Sequence, residues 1–555
     1  MKLIECVPNF SEGKDKSILD AIAKSIEEVN DVKLLDVDSG SATNRTVFTF
    51  VGTPVAIKIA AFNSIKTASM LIDMRKHKGE HPRIGATDVC PFIPISEVSI
   101  EECVEIAREV AQMVGDKLQI PVYLYEYAAT FPQRKNLADI RKGEYEGLEE
   151  KIKLKEWKPD FGPKTFNEKS GATVIGVRDF LIAYNVNLNT KDKKLANEIA
   201  FNIREQGRAK RDKNGNIIRN ENGESIKILG ILKSVKAVGW VIEEYNRAQV
   251  SINLTNYKIT PTHIAFEECV KEAEKIGVRV TGSEIIGLIP KDAMLETGKF
   301  YLNKQNKSTG IPEKEIIEIA IQSLGLNDVT KFDPKKKIIE YVLEENIKSL
   351  NNFSVNDFID ELSTDSPAPG GGSVAALLGA ISSALSSMVA NLTFGKKGYE
   401  KYFDRMKNLS EEFQKLKSEF LFLVDEDTNA FNKVMDAVRL PKKNEKEILL
   451  RNNAIEEATK YAAIVPLNTM EKSLETLHLT KLVAKYGNKN SASDSGVAAL
   501  CLNSAIGGAQ MNVEINLKNL SDKKFCYEMK NKVENIVKEN RKLQKEIRKI
   551  LSKVI

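Results

Sequence analysis

The stretch MRKHKGEHPRIGATDVCPFIPI, residues 74–95, joins an alanine-rich helical pattern to an apolar strand pattern, and the N-terminal half of the chain is organised around it. The chain has four histidines, and His77 and His81 both lie here among charged residues. Histidine can take and give a proton near neutral pH, so this placement indicates a catalytic turn. A solvated loop is the simpler alternative.

The letters HKGEH also match the inverted zinc-peptidase pattern, in which a continuous helix brings two imidazoles to a metal and a glutamate to a water. The backbone does not suit that site. Gly79 separates the histidines and Pro82 follows the second one, and both residues disfavour an uninterrupted helix. We therefore predict a turn with one working histidine and no metal, and a zinc peptidase is a remote alternative.

Helix and strand patterns alternate on both sides of this turn. Strand patterns cover residues 2–7, 32–37, 46–51, 89–95 and 122–125, and helical patterns cover residues 16–29, 54–72 and 100–118. The same order returns in residues 180–289. The patterns predict an α/β (α+β) N-terminal half of two βαββαβ-like layered subdomains, residues 1–180 and 181–343.

Strand patterns end near residue 353, and we predict an all-α helical bundle over residues 352–555 after a linker at 344–351. In this bundle apolar residues recur at alternating steps of four and three, namely Tyr402, Met406, Leu409, Phe413, Leu416, Phe420 and Leu423. The next position in the register is Asp427. Desolvation there would raise its pKa and make it a usable proton donor or acceptor, although a structural buried acid fits equally well. Its neighbours Asp425 and Glu426 fall off the register, and we expect them to be solvated.

A glycine-rich turn, APGGGSVA at residues 368–375, precedes the first long helix pattern of the bundle. The free amide groups of such a helix start can hold a carboxylate or a phosphate. Its candidate binding residues are Gly370, Gly371, Gly372 and Ser373. The lysine of a P-loop is missing, so nucleotide binding is not indicated. Close packing of two helices is the alternative role for these small residues.

The composition is that of a soluble globular protein, with 555 residues, 42% hydrophobic residues and a net charge of +5. This mild excess of charge does not indicate nucleic-acid binding, but it suits polyanionic small molecules. Six scattered cysteines without a CxxC pair and the absence of a signal-peptide pattern favour a cytoplasmic location. The uncharged run at residues 366–395 is long enough to span a membrane, yet its glycines and serines favour a buried helix and no membrane span. A second such run at 495–513 indicates a bundle completed by another subunit, and thus a homo-oligomer.

Four segments of the N-terminal half resemble the formiminotransferase family, also called glutamate formimidoyltransferase. They are IECVPNFSEG at residues 4–13, NRTVFTFVG at 44–52, IDMRKHKGEHPRIGATDVCPFIP at 72–94 and VNLNT at 186–190. The resemblance implies that His81, in the EHPR element, is the proton shuttle. It also implies folate contacts from a segment that would otherwise be interpreted as an interdomain linker, through Gly162, Pro163, Lys164, Thr165, Phe166, Asn167, Glu168, Lys169, Ser170 and Gly171.

Three segments of the C-terminal half resemble formiminotetrahydrofolate cyclodeaminase. They are SPAPGGGSVAAL at residues 366–377, LVDEDTNAFNKVMDAVRLPK at 423–442 and VPLNT at 465–469. The resemblance implies that Asp427, in the VDxDxxAF element, is the active-site residue. The helical register selects the same position independently.

Together the resemblances imply a bifunctional enzyme of one-carbon metabolism and histidine degradation. It would move the formimino group between N-formimino-L-glutamate and tetrahydrofolate, and then close formiminotetrahydrofolate to methenyltetrahydrofolate with release of ammonia. Tetrahydrofolate, in polyglutamylated form, would be a co-substrate. Arg83 is a weaker candidate for holding substrate carboxylates, and Asp38 for orienting the imidazole.

Three alternatives to this function stay open. The C-terminal domain could act as a methenyltetrahydrofolate cyclohydrolase, or glycine could replace glutamate as the formimino partner. The chain could also be a non-enzymatic folate-binding scaffold, which would bind folate tightly without turnover.

Overall fold

The structure, a computed structural model, describes residues 2–40, 44–79, 82–221, 223–242, 245–344, 349–518 and 520–555. His81 and the neighbouring Glu80 lie outside the described residues, as do residues 345–348 of the predicted linker. The chain forms two compact units. The first comprises residues 1–290 and 336–343, and the second comprises residues 291–335 and 344–555.

The elements up to residue 177 are β1 (Leu3–Cys6), β2 (Asn9–Phe10), α1 (Lys16–Glu27), β3 (Val32–Gly40), β4 (Arg45–Gly52), α2 (Pro54–Leu71), β5 (Thr87–Ser96), α3 (Ile100–Leu118), β6 (Val122–Glu126), α4 (Leu137–Arg141), α5 (Leu148–Lys151) and β7 (Thr173–Val177). Those that follow, up to residue 344, are β8 (Ile182–Leu188), α6 (Lys193–Ile203), β9 (Arg208–Ala209), β10 (Lys227–Ile228), β11 (Val235–Ile242), β12 (Arg247–Leu254), α7 (Thr262–Lys275), β13 (Val280–Ile286), α8 (Lys291–Lys304), α9 (Glu313–Leu324), α10 (Pro334–Lys337) and α11 (Ile339–Glu344). The remaining helices are α12 (Val355–Leu362), α13 (Gly371–Thr393), α14 (Phe403–Arg439), α15 (Glu445–Tyr486), α16 (Ala492–Leu517) and α17 (Lys523–Leu551).

The predicted repeat in the first unit is confirmed by strand order. One sheet contains the order β3-β4-β1-β5, and the other has the order β11-β12-β8-β13, with antiparallel neighbours in both. Each order follows from one βαββαβ chain path. The first sheet is then extended by β7 and β6, which lie parallel to β5.

Strand β7 is not among the strands predicted from the sequence. All five of its residues, TVIGV, are buried. A short run that is buried on both faces lacks the alternation of apolar and polar residues that predicts a strand. The strand adds to the first sheet the residues that directly follow the folate-contact candidates at 162–171.

Helices α1, α2 and α3 cover one face of the first sheet. Ile22, Ile65 and Val110, one from each helix, are fully buried in a common core. Phe48 of β4 and Phe92 of β5 enter this core from the sheet. The local sequence supports the arrangement, because Ser99 forms a capping box that fixes the start of α3.

In the second unit, α13 packs along α14 and α16, and α15 packs along α14, α16 and α17. The apolar register predicted for α14 is confirmed, because Met406, Phe413 and Phe420 are fully buried. Helices α8 and α9 belong to this unit by their contacts, and the Ser308 hydroxyl lies 3.1 Å from that of Ser410 on α14. The end of the second α/β region thus packs with the helices.

Helix α13 is the one helix in the described ranges that is long and apolar enough to cross a membrane. In this structure 61% of its most apolar window is buried inside the protein. Its buried serines are hydrogen-bonded within the bundle: Ser382 donates to the carbonyl of Ala498, and the hydroxyls of Ser386 and Thr480 lie 3.0 Å apart. The helix is therefore packed as a core element, as the sequence analysis predicts.

Two phenylalanines of α14 provide a matched test of the register. We expect Phe413→Ala to destabilise the helical unit by about 3–5 kcal/mol, since it leaves a cavity in the core. Phe422→Ala, at a side chain that is 63% exposed, should change the stability by no more than about 0.5 kcal/mol. Urea unfolding followed by circular dichroism measures both, and equal midpoints for the two variants would contradict the register.

Candidate active sites

The histidine turn is fixed at both ends by the segment that carries the folate-contact candidates. Helix α2 ends at Leu71, and the amide of Met74 then donates to the carbonyl of Lys169 at 2.9 Å. On the far side of the turn the amide of Ala86 donates to the carbonyl of Ser170, also at 2.9 Å. These two bonds hold the chain on either side of residues 80 and 81. The prediction of a turn in place of a continuous helix is confirmed for the described residues up to Gly79.

His77 is held by hydrogen bonds at both ring nitrogens. Its Nε2 lies 2.8 Å from the carbonyl oxygen of Asn44, and its Nδ1 accepts a hydrogen bond from Nε of Arg83 at 3.2 Å. A carbonyl can only accept and a guanidinium can only donate, so the ring is neutral with its proton on Nε2. His77 thus positions the turn and has no free lone pair for a metal. In the described ranges no three His, Cys, Asp or Glu side chains are grouped to hold a metal ion.

Arg83, the candidate for binding substrate carboxylates, is buried and already contacts two carboxylates of its own chain. Its Nη1 donates to Glu144 at 3.0 Å, and its Nη2 donates to Glu146 at 2.6 Å. The hydrogen bond from Arg83 lowers the pKa of Glu146. A substrate carboxylate could reach this guanidinium only by displacing one of these acids. Sequence reasoning missed both acids, because the run GEYE resembles any charged surface turn.

A cleft of about 680 Å³ opens beside the turn. It is lined by Met74, Arg75, His77, Lys78, Gly79, Arg83, Gly143, Glu144, Tyr145 and Glu146. Gly79 lines this cleft, and His81, the predicted proton shuttle, is two positions further along the sequence. The cleft carries both signs of charge, which suits a zwitterionic amino acid.

The segment of residues 162–171 divides into a packed part and an exposed part. Asn167 donates to the carbonyl of Gln119 at 3.1 Å, and the ring of Phe166 lies 5.4 Å from that of Tyr145 in the cleft wall. Lys164, Thr165, Glu168 and Lys169 are exposed, whereas Ser170 is buried and Gly162, Pro163 and Gly171 are not exposed. The segment is therefore an ordered wall beside the histidine turn, and its exposed side chains are the ones available to a ligand.

Asn44 is a structural residue of this site that sequence reasoning did not select. Its amide nitrogen donates to the carbonyl of Lys78 at 2.9 Å, and its side-chain oxygen accepts from the amide of Gly13 at 3.0 Å. It also has a positive φ of 47°, which asparagine tolerates better than most residues. The weaker candidate Asp38 is exposed on β3.

A second cavity of the first unit, about 380 Å³, lies between the two sheets and was not predicted. Glu5 of β1 lines it together with Arg178, Phe180 and Lys337. Burial raises the pKa of Glu5 to about 7, although the positive charge of Arg178 opposes the shift. No sequence pattern marks Glu5 as buried, because an acid inside a short strand is normally on the solvent side.

Replacement of Glu5 by glutamine tests this buried acid. Because the folded pKa lies above the unfolded value, the native state binds the proton more tightly, and stability falls as the pH rises from about 4.5 through about 7. Glu5→Gln removes the desolvated charge, so we expect the variant to be more stable than the parent by up to about 3 kcal/mol at pH 8 and equal to it near pH 4. Denaturant unfolding across this range measures the difference. A parent that is the more stable of the two at pH 8 would contradict the prediction.

The second site is built where the start of α13 meets the middle of α14. The hydroxyl of Ser373 donates to the carbonyl of Val424 at 2.9 Å and lies 3.2 Å from Oδ2 of Asp427. A Cβ atom at Gly372 would lie only 2.0 Å from Oδ1 of Asp427, so any side chain at this position would displace the carboxylate. Burial raises the pKa of Asp427, and the hydrogen bonds from Ser373 partly offset the shift. The structure thus brings together the glycine-rich turn and the acid that the sequence analysis selected separately.

Asp425 and Glu426, the two acids that precede Asp427, are hydrogen-bonded to other parts of the chain. Asp425 accepts hydrogen bonds from the hydroxyl of Ser349 at 2.6 Å and the amide of Leu350 at 2.8 Å. Glu426 accepts from the hydroxyl of Tyr461 at 2.5 Å. The expectation that both are solvated was wrong, because their partners come from distant parts of the chain that the register of α14 does not show.

Asp427 opens into a cavity of about 530 Å³. The cavity is lined by Pro367, Ala368, Gly370, Gly371, Asp427, Phe431, Val434, Val438, Ile455, Glu456, Thr459, Ala462, Asn512, Ile515, Asn516 and Leu520. Phe431, Val434 and Leu520 are among its apolar lining residues, and two of its polar ones, Asp427 and Asn512, lie beside the start of α13. A partly buried acid beside an apolar wall is the arrangement in which a carboxyl can hold and release a proton near neutral pH.

Comparisons with known proteins match a protein family to each part of the chain. The family of the formiminotransferase domain, N-terminal subdomain, matches residues 3–178, and that of the formiminotransferase domain matches residues 183–344. The family formiminotransferase-cyclodeaminase matches residues 354–535.

Three relatives show how far the similarity extends. The formimidoyltransferase-cyclodeaminase of Dictyostelium discoideum is 44% identical over 558 residues, covering 100% of this chain and 98% of the relative. The glutamate formimidoyltransferase of Streptococcus pyogenes is 41% identical over 305 residues, 55% of this chain and 95% of the relative. The methenyltetrahydrofolate cyclohydrolase of Methylorubrum extorquens is 38% identical over 188 residues, 34% of this chain and 90% of the relative.

The α/β unit and the helical unit are therefore those of a two-part folate enzyme class, in which a formiminotransferase region precedes a cyclodeaminase region. This chain belongs to the formimidoyltransferase-cyclodeaminase family.

Proposed function

We propose that this chain catalyses two consecutive reactions on tetrahydrofolate, with one active site in each unit. The observation that carries the proposal is the position of Asp427, a partly buried acid with a raised pKa at the mouth of a glycine-rich helix start and inside a cavity. Membership of the family over the full length of the chain supports both reactions. The substrates are formiminoglutamate and tetrahydrofolate.

In the first reaction N5 of tetrahydrofolate attacks the formimino carbon of formiminoglutamate. His81 accepts the proton that N5 loses and then gives a proton to the glutamate nitrogen, so that the C–N bond to glutamate breaks and free glutamate leaves. The exposed side chains of the wall segment, among them Lys164 and Lys169, would contact the folate. Arg83 would hold a substrate carboxylate in exchange for Glu144 or Glu146.

In the second reaction N10 attacks the carbon of the formimino group in its protonated form, –CH=NH2+, and closes a five-membered ring. Asp427, in its protonated form, gives a proton to the amino nitrogen, and the carboxylate recovers one from N10. The C–N bond then breaks, ammonia leaves and 5,10-methenyltetrahydrofolate is formed. Burial raises the pKa of Asp427 and so favours its protonated form, which is the proton donor in this step.

A second candidate for the helical unit is a methenyltetrahydrofolate cyclohydrolase activity. It is favoured by the similarity to the Methylorubrum extorquens enzyme of that name. The two activities share the methenyl compound, so an assay that follows ammonia separately from methenyl absorbance distinguishes them. Glutamate is favoured over glycine as the formimino partner because the relatives of the first unit include a glutamate formimidoyltransferase.

The cytoplasm is the proposed location, supported by the six cysteines that are all free. A homo-oligomer formed through the helical unit is also proposed. Its support is a set of exposed apolar side chains on the neighbouring helices α13 and α16, namely Met388, Leu392, Leu500, Met511 and Ile515.

Replacement of His81 tests the first site. We expect His81→Ala to lower formimino transfer by about 100- to 10,000-fold, because it removes the group proposed to carry the proton, and to leave cyclisation of supplied formiminotetrahydrofolate unchanged. His77→Gln is the matched control, since the ring of His77 contacts protein groups, and it should cause a smaller loss. Equal losses in the two variants would contradict the assignment.

Replacement of Asp427 tests the second site. We expect Asp427→Asn to lower ammonia release by about 100- to 10,000-fold, because asparagine cannot donate the proton, and to spare formimino transfer. Asp436→Asn, at an exposed acid of the same helix, should leave both activities unchanged. Ammonia release at the parent rate from the Asp427 variant would show that another group supplies the proton.

A further inference from the structure

Two asparagines of α16, Asn512 and Asn516, line the Asp427 cavity, and neither takes part in the proton transfers proposed for the second reaction. Asn512 and Asn516 are one helical turn apart, so they share a face of the helix. Asn512 lies beside the helix start that carries the glycine-rich turn, because a Cβ atom at Gly371 would be 3.4 Å from its amide nitrogen. The pair therefore borders the same space as Asp427.

Hydrogen bonds fix the orientation of both side-chain amide groups. Nδ2 of Asn512 donates to the carbonyl of Gly508 at 2.9 Å, and Nδ2 of Asn516 donates to the carbonyl of Ala462 on α15 at 2.8 Å. Because a carbonyl can only accept, the nitrogen of each amide must face it. The two side-chain oxygens are then directed away from these carbonyls.

In the described residues, neither of these oxygens accepts a hydrogen bond, and neither is among the buried polar atoms without a partner. Both oxygens therefore have no partner among the described residues, and both are reached by solvent. Together with the carboxylate of Asp427 they give this part of the cavity three hydrogen-bond acceptors. The complementary ligand is one that presents several N–H groups.

We propose that Asn512 and Asn516 determine the specificity of the second site for a reduced pterin ring, whose N–H groups they bind through their side-chain oxygens. The proposal rests on the function proposed above. A tetrahydropterin carries an N–H group at N8 that the oxidised ring lacks, and this group remains when N5 bears the formimino group. The aminobenzoyl group next to the pterin is apolar and fits the wall formed by Phe431 and Val434. A ligand without the N–H group at N8 would leave an acceptor unpaired, and discrimination of this kind is strong in enclosed sites.

Competitive inhibition of the cyclisation reaction tests the proposal, because it reports on the second site alone. The inhibition constants of tetrahydrofolate and folate are measured on the full-length protein and on the variant Asn512→Leu/Asn516→Leu. We expect the parent to bind tetrahydrofolate more tightly and the variant to lose at least about tenfold of this preference, with KM raised more than kcat is lowered. Gln510→Leu, on the same helix and outside this cavity, should keep the preference of the parent.

The possible outcomes distinguish failure of the proposed function from failure of the inference about the two asparagines. If the parent protein does not cyclise formiminotetrahydrofolate, the proposed function fails. If it does, and the variant keeps the parent's preference for the reduced ring, the asparagines have only a structural role and the inference is overturned. Thermal unfolding shows whether the helical unit of the leucine variant is folded. If it is not, Asn512→Ser/Asn516→Ser is used in its place, and the same loss of preference for the reduced ring is expected.

Discussion

The contact between Asp427 and the start of α13 is the constraint on which the second site depends. Helix α14 carries an apolar register along its length, and the acid interrupts that register at the point where α13 begins. The absence of a side chain at Gly372 lets the carboxylate approach the backbone closely, and Ser373 then binds it. Burial against this helix start raises the pKa of the acid while the hydroxyl keeps it in place.

The first unit uses a comparable close approach of backbones. A Cβ atom at Gly85 would lie 2.1 Å from the carbonyl oxygen of Ala172, and one at Gly171 would lie 2.2 Å from that of Ile84. Only glycine permits the histidine turn and the wall segment to run so close together. In both units, then, glycines bring together stretches far apart in sequence, and the cavities lie beside those points.

The sequence predicts those features of the fold and sites that have a local pattern. The βαββαβ order has one, since helix and strand periods alternate, and so does the register that isolates Asp427. The partners of Asp425 and Arg83 could not be predicted, because they depend on loops that are distant in sequence and have no periodicity. The packing of α8 and α9 with the helical unit depends on tertiary contacts, which no local sequence pattern predicts.

A crystal structure of the full-length protein with 5-formyltetrahydrofolate would show whether the chain carries two separate folate sites, one in each unit. We expect folate density in the first unit beside the wall of residues 162–171, and a second molecule in the cavity lined by Asp427, Asn512 and Asn516. Density in only one unit at saturating ligand, or a pterin ring bound away from Asp427, would contradict this expectation.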